Sequence, residues 1–162
     1  MNKAVFFDRD GVINFDPGDY TYQLDEFKIN EGIIENLKRL VDTDYLLFII
    51  TNQGGIAKQI YTHKHVELIH KYLITELKKS GIELTEIYYC PHHSDVEKCL
   101  CRKPGSLFIE KAIARFNIDP KKSYMIGDKM RDVEAAENAG IKGIKVDLNE
   151  NITKYINQIL GV

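Results

Sequence analysis

The chain has 162 residues, a length that suits one domain with a single well-formed core. Its hydrophobic content of 44% and charged content of 28% are those of a soluble globular protein, and its net charge of −2 gives no basic field for nucleic acid. No apolar run reaches membrane-spanning length and no signal peptide precedes the first predicted strand, so we expect a cytoplasmic protein without nucleic-acid or membrane partners.

Short β-branched or aromatic runs alternate with helical periodicity along the chain. Strands are predicted near residues 3–7, 44–50, 84–89, 122–126 and 143–146, and helices near 31–41, 62–79, 106–116, 130–138 and 150–159. Thr62 is the expected N-cap of the second helix, and Gly81 and Gly140 are expected to end the second and fourth. This alternation predicts a parallel sheet covered by helices on both faces, an α/β fold of one three-layer domain spanning residues 1–162.

Two of the segments that connect the predicted strands and helices are unusual in length or composition. Residues 11–30 are long for a loop between a strand and a helix, and they are expected to form a flap over the site. Residues 90–105 are irregular and hold all the cysteines. Neither interval is long enough to form a separate domain, so loops rather than a folded lid should cover the site.

Two aspartates, Asp8 and Asp10, follow the first predicted strand. Isolated pairs of this kind are usually solvated turns, but a second acidic cluster that contains Asp128 follows the fourth predicted strand. One carboxylate can attack phosphorus, and the other can protonate the leaving oxygen and later activate water. Because such chemistry needs cationic charge, we expect Mg²⁺ beside Asp8, with Asp128 as a further ligand.

Two further segments have the chemistry to hold phosphate. Thr51 and Asn52, followed by Gln53 and two glycines, offer a hydroxyl and backbone N–H groups to an anion. Lys103 offers a compact charge for the transferring phosphoryl group, and Arg102 a planar fork for a second anionic group. Either segment alone would more often be a polar turn or a solvated surface; their occurrence with the aspartates favours a phosphate site.

The three cysteines lie within twelve residues and do not resemble a disulfide framework. A C-x-H pair beginning at Cys90 and the C-x-C pair Cys99 and Cys101 supply three thiolates and one imidazole, a complete tetrahedral set for Zn²⁺. Reduced core cysteines are the alternative, but Cys99 and Cys101 lie in a polar stretch. A closed set of four ligands predicts a structural zinc that pins residues 90–104 and sets the reach of Arg102 and Lys103.

In this order, the segments resemble the haloacid-dehalogenase (HAD) superfamily of phosphohydrolases. The stretches D-R-D-G-V-I-N, T-N-Q-G-G-I, C-P-H-H…C-x-C-R-K-P and Y-M-I-G-D-K…D are similar to those of its small, capless, zinc-containing branch. The resemblance covers residues 3 to about 147. It implies a Rossmann-like domain with a central parallel sheet, a zinc-stabilised loop and no separate cap domain.

By this resemblance Asp8 is the nucleophile and Asp10 the general acid/base. Mg²⁺ would be held by Asp8, the backbone carbonyl of Asp10, and Asp128. The residues assigned to phosphate or substrate binding are Thr51, Asn52, Gln53, Arg102, Lys103 and Lys129, with Lys129 and Asp132 in supporting roles. The zinc ligands carry over as Cys90, His92, Cys99 and Cys101, and no role is assigned to His63, His65, His70 or His93.

The branch contains phosphatases for heptose bisphosphates and for histidinol phosphate. The stretches Y-Y-C-P-H-H and Y-M-I-G-D-K and residues 18–22 are more similar to the heptose enzymes. The six-residue spacer between the two zinc-ligand pairs and residues 139–143 are more similar to the histidinol-phosphate enzymes. We expect a Mg²⁺-dependent monomeric phosphatase that acts on a small phosphorylated sugar, at the 7-phosphate of a heptose 1,7-bisphosphate, with histidinol phosphate as the alternative substrate. A non-enzymatic zinc-loop module is less consistent with an intact set of acidic and phosphate-binding residues.

Overall fold

A computed structural model describes residues 1–162 and contains one sheet of five strands. The strands are β1 Lys3–Phe7, β2 Tyr45–Asn52, β3 Glu86–Cys90, β4 Tyr124–Gly127 and β5 Lys142–Lys145. All neighbouring strands pair in parallel, in the order β3-β2-β1-β4-β5. The predicted parallel α/β sheet is therefore confirmed. Strand β2 runs beyond its predicted end because Thr51 and Asn52 still pair with Tyr89 and Cys90 of β3.

Five α-helices connect and follow the strands: α1 Ile33–Val41, α2 His63–Lys79, α3 Leu107–Arg115, α4 Met130–Asn138 and α5 Thr153–Leu160. Thr62 is the N-cap of α2, as predicted, and its backbone N–H donates to His65 Nδ1 at 3.1 Å. Gly81 and Gly140 follow the C-cap residues of α2 and α4 with φ of 70° and 78°. These left-handed conformations end both helices and suit glycine, which has no Cβ.

The helices cover the sheet in two layers because successive strand residues point to opposite faces. Val5 and Phe7 of β1 pack into a core with α1, α2 and α5, whereas Ala4 and Phe6 pack into a second core with α3 and α4. All four side chains are fully buried. Burying a side chain such as Phe contributes roughly 1.5–3 kcal/mol, so the two cores hold the strand ends in fixed positions.

The chain order of the strands reverses direction beside β1. It runs from β1 to β2 and β3 on one side, then crosses to β4 and β5 on the other. In open parallel sheets, ligands bind outside the carboxyl ends of strands at such a switch point. Loop residues 16 and 18–21 lie at this edge beside Asp10 and Gln53, and a short 3₁₀ turn follows at Leu24–Glu26. None of the helices combines the length and apolar character needed to cross a bilayer.

Candidate active site

Three buried aspartates and one buried lysine meet at the carboxyl ends of β1 and β4. Carboxylate oxygens of Asp8, Asp128 and Asp132 lie within 4.8 Å of one another. Lys103 Nζ lies 2.8 Å from Asp8 Oδ1 and 2.7 Å from Asp132 Oδ1, and it donates to the carbonyl of Ile50 at 2.7 Å. Lys103 pairs with Asp8 and Asp132, and Lys129 Nζ lies 3.0 Å from Asp128 Oδ2, so two lysines face three carboxylates. The excess of negative charge favours a cation.

Two glycines allow these carboxylates to come together. Gly11 has a φ of 86°, and a Cβ at this position would lie 3.0 Å from the carboxyl group of Asp128. A Cβ at Gly127 would lie 2.2 Å from Cβ of Asp132. The absence of side chains at both positions therefore lets the loop after β4 close against the turn after β1.

The chemistry of the Asp128 carboxylate fits a hard cation. Both of its oxygens are buried and accept no hydrogen bond; Lys129 Nζ lies 3.0 Å from Oδ2, but not in a hydrogen-bonding direction. Burial raises the pKa of Asp8 to about 7, although the charge of Lys103 opposes the rise. A bound divalent cation would favour the charged form of both groups, and oxygen ligands of this kind suit Mg²⁺.

Asp10 lies in a different environment from Asp8. Its Oδ1 accepts hydrogen bonds from Arg9 Nη2 at 2.9 Å and Asn14 Nδ2 at 3.0 Å, and its Oδ2 accepts from Gln53 Nε2 at 3.0 Å. Burial alone would raise the pKa of Asp10, but the charge of Arg9 and these hydrogen bonds hold the pKa below its ordinary value. The two carboxylates therefore differ in environment: Asp8 lies among acidic groups beside Lys103, whereas Asp10 is held by hydrogen-bond donors.

Residues at the end of β2 form one connected group with Asp10. Gln53 Nε2 also donates to Thr51 Oγ1 at 2.8 Å, and Tyr61 Oη donates to Gln53 Oε1 at 2.7 Å. Because the amide oxygen of Gln53 accepts the hydrogen bond from Tyr61, the amide nitrogen faces Asp10 and Thr51. Sequence reasoning missed Tyr61, because it follows the polar segment without a recognisable motif.

The structure brings together the four predicted zinc ligands. Cys90 Sγ lies 3.1 Å from Cys101 Sγ, 3.7 Å from Cys99 Sγ and 3.5 Å from His92 Nδ1, and all four candidate ligand atoms lie within 4.8 Å of one another. Zn–S bonds of about 2.3 Å in a tetrahedron place the ligand atoms roughly 3.5–3.8 Å apart. The three cysteines form no disulfide. The donor set therefore fits Zn²⁺ with all four positions filled by protein.

A cavity of about 330 Å³ opens beside Asp10. Lys129 and Arg131 line it on the side of the loop after β4, and Asp16, Asp19 and Tyr20 of the predicted flap line it as well. Sequence reasoning missed Arg131, whose Nε is buried without a hydrogen-bond partner. The cavity thus places cationic side chains and flap carboxylates around one space.

Arg102, expected to face a second anionic group, is held by the cysteine loop. Its Nη1 donates to the carbonyl of His92 at 3.1 Å, and it is not among the residues that line the cavity. Partial desolvation and the charges of Lys58, Arg102 and Arg131 lower the pKa of His93. The charge of Asp95, whose Oδ2 lies 3.5 Å from His93 Nδ1, opposes this shift.

The comparisons with known proteins agree with the geometry. The model of the HAD-hydrolase-like family matches residues 100–152. A D-glycero-β-D-manno-heptose-1,7-bisphosphate 7-phosphatase of Haemophilus ducreyi is 44% identical over 146 residues, which cover 86% of this chain and 80% of that protein. A D-glycero-α-D-manno-heptose-1,7-bisphosphate 7-phosphatase of Campylobacter jejuni is 41% identical over 91% of this chain and 83% of its own length.

One similar protein has a crystal structure with bound ligands. The D,D-heptose 1,7-bisphosphate phosphatase of B. bronchiseptica, solved with magnesium and phosphate, superposes with a TM-score of 0.85 at 30% identity. The match covers 98% of this chain and 87% of that one. A HAD-like phosphatase structure from Mesorhizobium loti, at 22% identity and a TM-score of 0.88, shares the fold.

Proposed function

The chain belongs to the HAD-like hydrolases, in the family of the heptose-bisphosphate phosphatases, and from this premise we propose that it removes the 7-phosphate of D-glycero-D-manno-heptose 1,7-bisphosphate. It is a phosphatase by family. The observation that carries the proposal is the contrast between Asp8, which lies among buried carboxylates beside Lys103, and Asp10, which is clamped by hydrogen-bond donors. This contrast fits two carboxylates that divide the work of phosphoryl transfer.

In the proposed reaction, a carboxylate oxygen of Asp8 attacks the phosphorus atom while the bond to the sugar oxygen breaks. Asp10 gives a proton to that oxygen, so the sugar leaves as an alcohol and Asp8 carries the phosphoryl group. Asp10 then takes a proton from water, whose oxygen attacks phosphorus and regenerates the Asp8 carboxylate. Splitting the hydrolysis into two displacements lowers each barrier, and a positioned acid/base contributes about 10²–10⁴-fold in rate.

The residues that would hold Mg²⁺ are Asp8, Asp128 and the backbone carbonyl of Asp10. When bound, the ion supplies positive charge to the transferring phosphoryl group. Lys103 supplies a fixed charge beside Asp8, since its Nζ already lies 2.8 Å from Oδ1 of that residue. Thr51 offers its hydroxyl, and Asn52 and Gln53 shape the same edge of the site. Their hydrogen bonds to Lys103 and Asp10 support these assignments.

The other end of the substrate should meet the cationic side chains. We assign the remaining 1-phosphate to Arg102, with Lys129 and Arg131 on the cavity wall, because guanidinium and ammonium groups bind phosphate through charge-assisted hydrogen bonds. The flap carboxylates Asp16 and Asp19 lie on the same cavity and suit the hydroxyl groups of a sugar. A structural zinc at Cys90, His92, Cys99 and Cys101 would fix the loop that carries Arg102.

A direct comparison of substrates tests the assignment. The kcat/KM of the Mg²⁺-loaded protein is measured side by side on the α and β anomers of heptose 1,7-bisphosphate and on histidinol phosphate. The proposal expects a preference for one or both heptose bisphosphates. A clear preference for histidinol phosphate would overturn the substrate assignment and leave the phosphatase chemistry in place. The cytoplasmic location and the monomeric state stay predictions from the sequence.

A further inference from the structure

The guanidinium group of Arg9 is enclosed by protein. Arg9 has no exposed surface, although it lies in the turn between Asp8 and Asp10. Its Nη2 donates to Asp10 Oδ1 at 2.9 Å and Oδ2 at 3.2 Å, and to the carbonyl of Thr21 at 3.0 Å. Its Nε lies 3.3 Å from Asp10 Oδ1. Arg9 therefore contacts both oxygens of the Asp10 carboxylate and fixes the plane of that group.

The remaining guanidinium nitrogen, Nη1, contacts a histidine. His70 of α2 places its Nε2 3.3 Å from Arg9 Nη1, whereas the other side-chain hydrogen bonds of Arg9 are made by Nε and Nη2. Because arginine is always protonated and has no acceptor atom, the histidine nitrogen must accept. This requires a neutral imidazole with its proton on Nδ1.

His70 is kept neutral by its surroundings. Its residue exposure is only 7%, and its ring packs edge-on against Tyr89 at a centroid distance of 5.7 Å. Burial, with the charge of Arg9, lowers the pKa of His70 to about 3, while the charge of Asp10 opposes the shift. A neutral acceptor at this place satisfies a buried donor without adding a second positive charge. An unsatisfied donor here would leave Arg9 free to tilt.

We propose that His70 is a positioning residue for the proposed reaction, whose neutral imidazole holds Arg9 so that Arg9 aims the Asp10 carboxylate at the leaving oxygen. The inference rests on the acid/base role of Asp10 in the proposed function. A positioning role of His70 should be visible in how the reaction rate depends on the leaving group. A sugar alkoxide is a poor leaving group and needs the proton from Asp10, whereas p-nitrophenolate leaves with little need of it. If the Asp10 carboxylate is no longer correctly oriented, the release of sugar should therefore slow much more than the release of p-nitrophenolate.

The test uses single-turnover rates with the Mg²⁺-loaded enzyme in excess, which isolate the step in which the leaving group departs. Two substrates are compared, heptose 1,7-bisphosphate and p-nitrophenyl phosphate. In His70→Leu, which lacks an acceptor, the rate on the heptose substrate should fall about tenfold or more, because small misplacements of a catalytic group cost one to two orders of magnitude. The half-saturating concentration should stay within about twofold and the rate on p-nitrophenyl phosphate within about threefold. His70→Gln, whose amide oxygen can accept from Nη1, should recover most of the rate.

Controls separate positioning from general destabilisation. Leu77→Ala removes a buried side chain of the same helix, about two turns from His70, and it should show no dependence on the leaving group. If His70→Leu does not fold, His70→Asn replaces it, because its shorter amide cannot reach Nη1. Equal losses on both substrates, no loss in a folded variant, or equal defects in the Leu and Gln variants would overturn the inference.

The reference variant Asp10→Asn distinguishes this inference from the proposed function. It should show the same selective loss on the heptose substrate, and more strongly. If it does not, the acid/base role of Asp10 fails. If Asp10→Asn shows the selective loss and the His70 variants do not, only the role of His70 fails.

Discussion

The side-chain amide of Asn52 forms two hydrogen bonds with the backbone of Lys103, one as acceptor and one as donor. Asn52 Oδ1 accepts from the backbone N–H of Lys103 at 3.0 Å, and Asn52 Nδ2 donates to the Lys103 carbonyl at 3.2 Å. These two hydrogen bonds join the end of β2 to the cysteine loop. They fix the backbone from which Lys103 reaches Asp8, so two sequence-distant segments act as one unit beside the buried aspartates.

Asn52→Ala should therefore loosen Lys103. Two lost hydrogen bonds and an unpaired backbone group should lower the free energy of unfolding by about 1–3 kcal/mol, measured by urea denaturation. The KM of the substrate should rise, because the charge beside Asp8 is no longer held in place. A variant with the stability of the wild type and an unchanged KM would contradict this coupling.

The cysteine loop should hold one zinc ion per chain. Cys99→Ala should lose the metal, which elemental analysis measures, and should lower Tm by several degrees, since ligand binding contributes folding free energy. His93→Ala is the matched control, because His93 lies beside His92 but outside the ligand group. It should keep the zinc. Equal loss of zinc in the two variants would contradict the assigned ligand set.

Removal of a cationic side chain assigned to the 1-phosphate should discriminate between substrates. Arg102→Ala and Arg131→Ala should each raise KM for the bisphosphate by roughly ten- to a hundredfold, as expected for a lost hydrogen bond between charged groups of about 1.5–3 kcal/mol. The KM for p-nitrophenyl phosphate should change little.

Arg115→Ala is the control for the loss of one positive charge, because Arg115 is exposed on α3 and pairs with Glu86 away from the site. It should leave both KM values unchanged. Equal losses on the two substrates in Arg102→Ala would mean that Arg102 serves the reacting phosphate instead.

The buried His70 should make stability depend on pH. Its pKa is lowered to about 3 in the folded protein, against an ordinary value of 6.5, so below pH 6.5 the unfolded chain binds a proton that the folded chain does not. The stabilising contribution is present above pH 6.5 and is lost as the pH falls toward about 3. Between pH 7 and pH 5 the wild type should lose about 2 kcal/mol more stability than His70→Gln. Parallel pH profiles of unfolding free energy would argue against a neutral buried imidazole.

Much of the site could be predicted from the sequence because its residues directly follow predicted strands. Asp8 and Asp128 come after β1 and β4, and parallel strands bring their carboxyl ends to one edge, so their meeting follows from the fold. The clustering of Cys90, His92, Cys99 and Cys101 follows from local spacing. The hydrogen bonds by which Asn52 joins this loop to the end of β2 could not be predicted from spacing.

The residues that support the site were harder to predict. His70 directly follows Ile69 in the apolar stripe of α2, and the same pattern accommodates an ordinary core residue. The full burial of Arg9 depends on Thr21 and His70, which lie in other segments. The sequence alone does not show which distant group accepts a hydrogen bond from a given donor, because the tertiary packing of the segments determines it.

The central claim is that Asp8 takes up the 7-phosphate and leaves the 1-phosphate on the sugar. The most direct measurement is ³¹P NMR of heptose 1,7-bisphosphate with the Mg²⁺-loaded wild type and with Asp8→Asn. For the wild type we expect inorganic phosphate and one remaining phosphate signal coupled to the anomeric proton. For a folded Asp8→Asn variant we expect a rate at least about a thousandfold lower, as for loss of a catalytic nucleophile. Release of the anomeric phosphate, or substantial turnover by Asp8→Asn, would contradict the account.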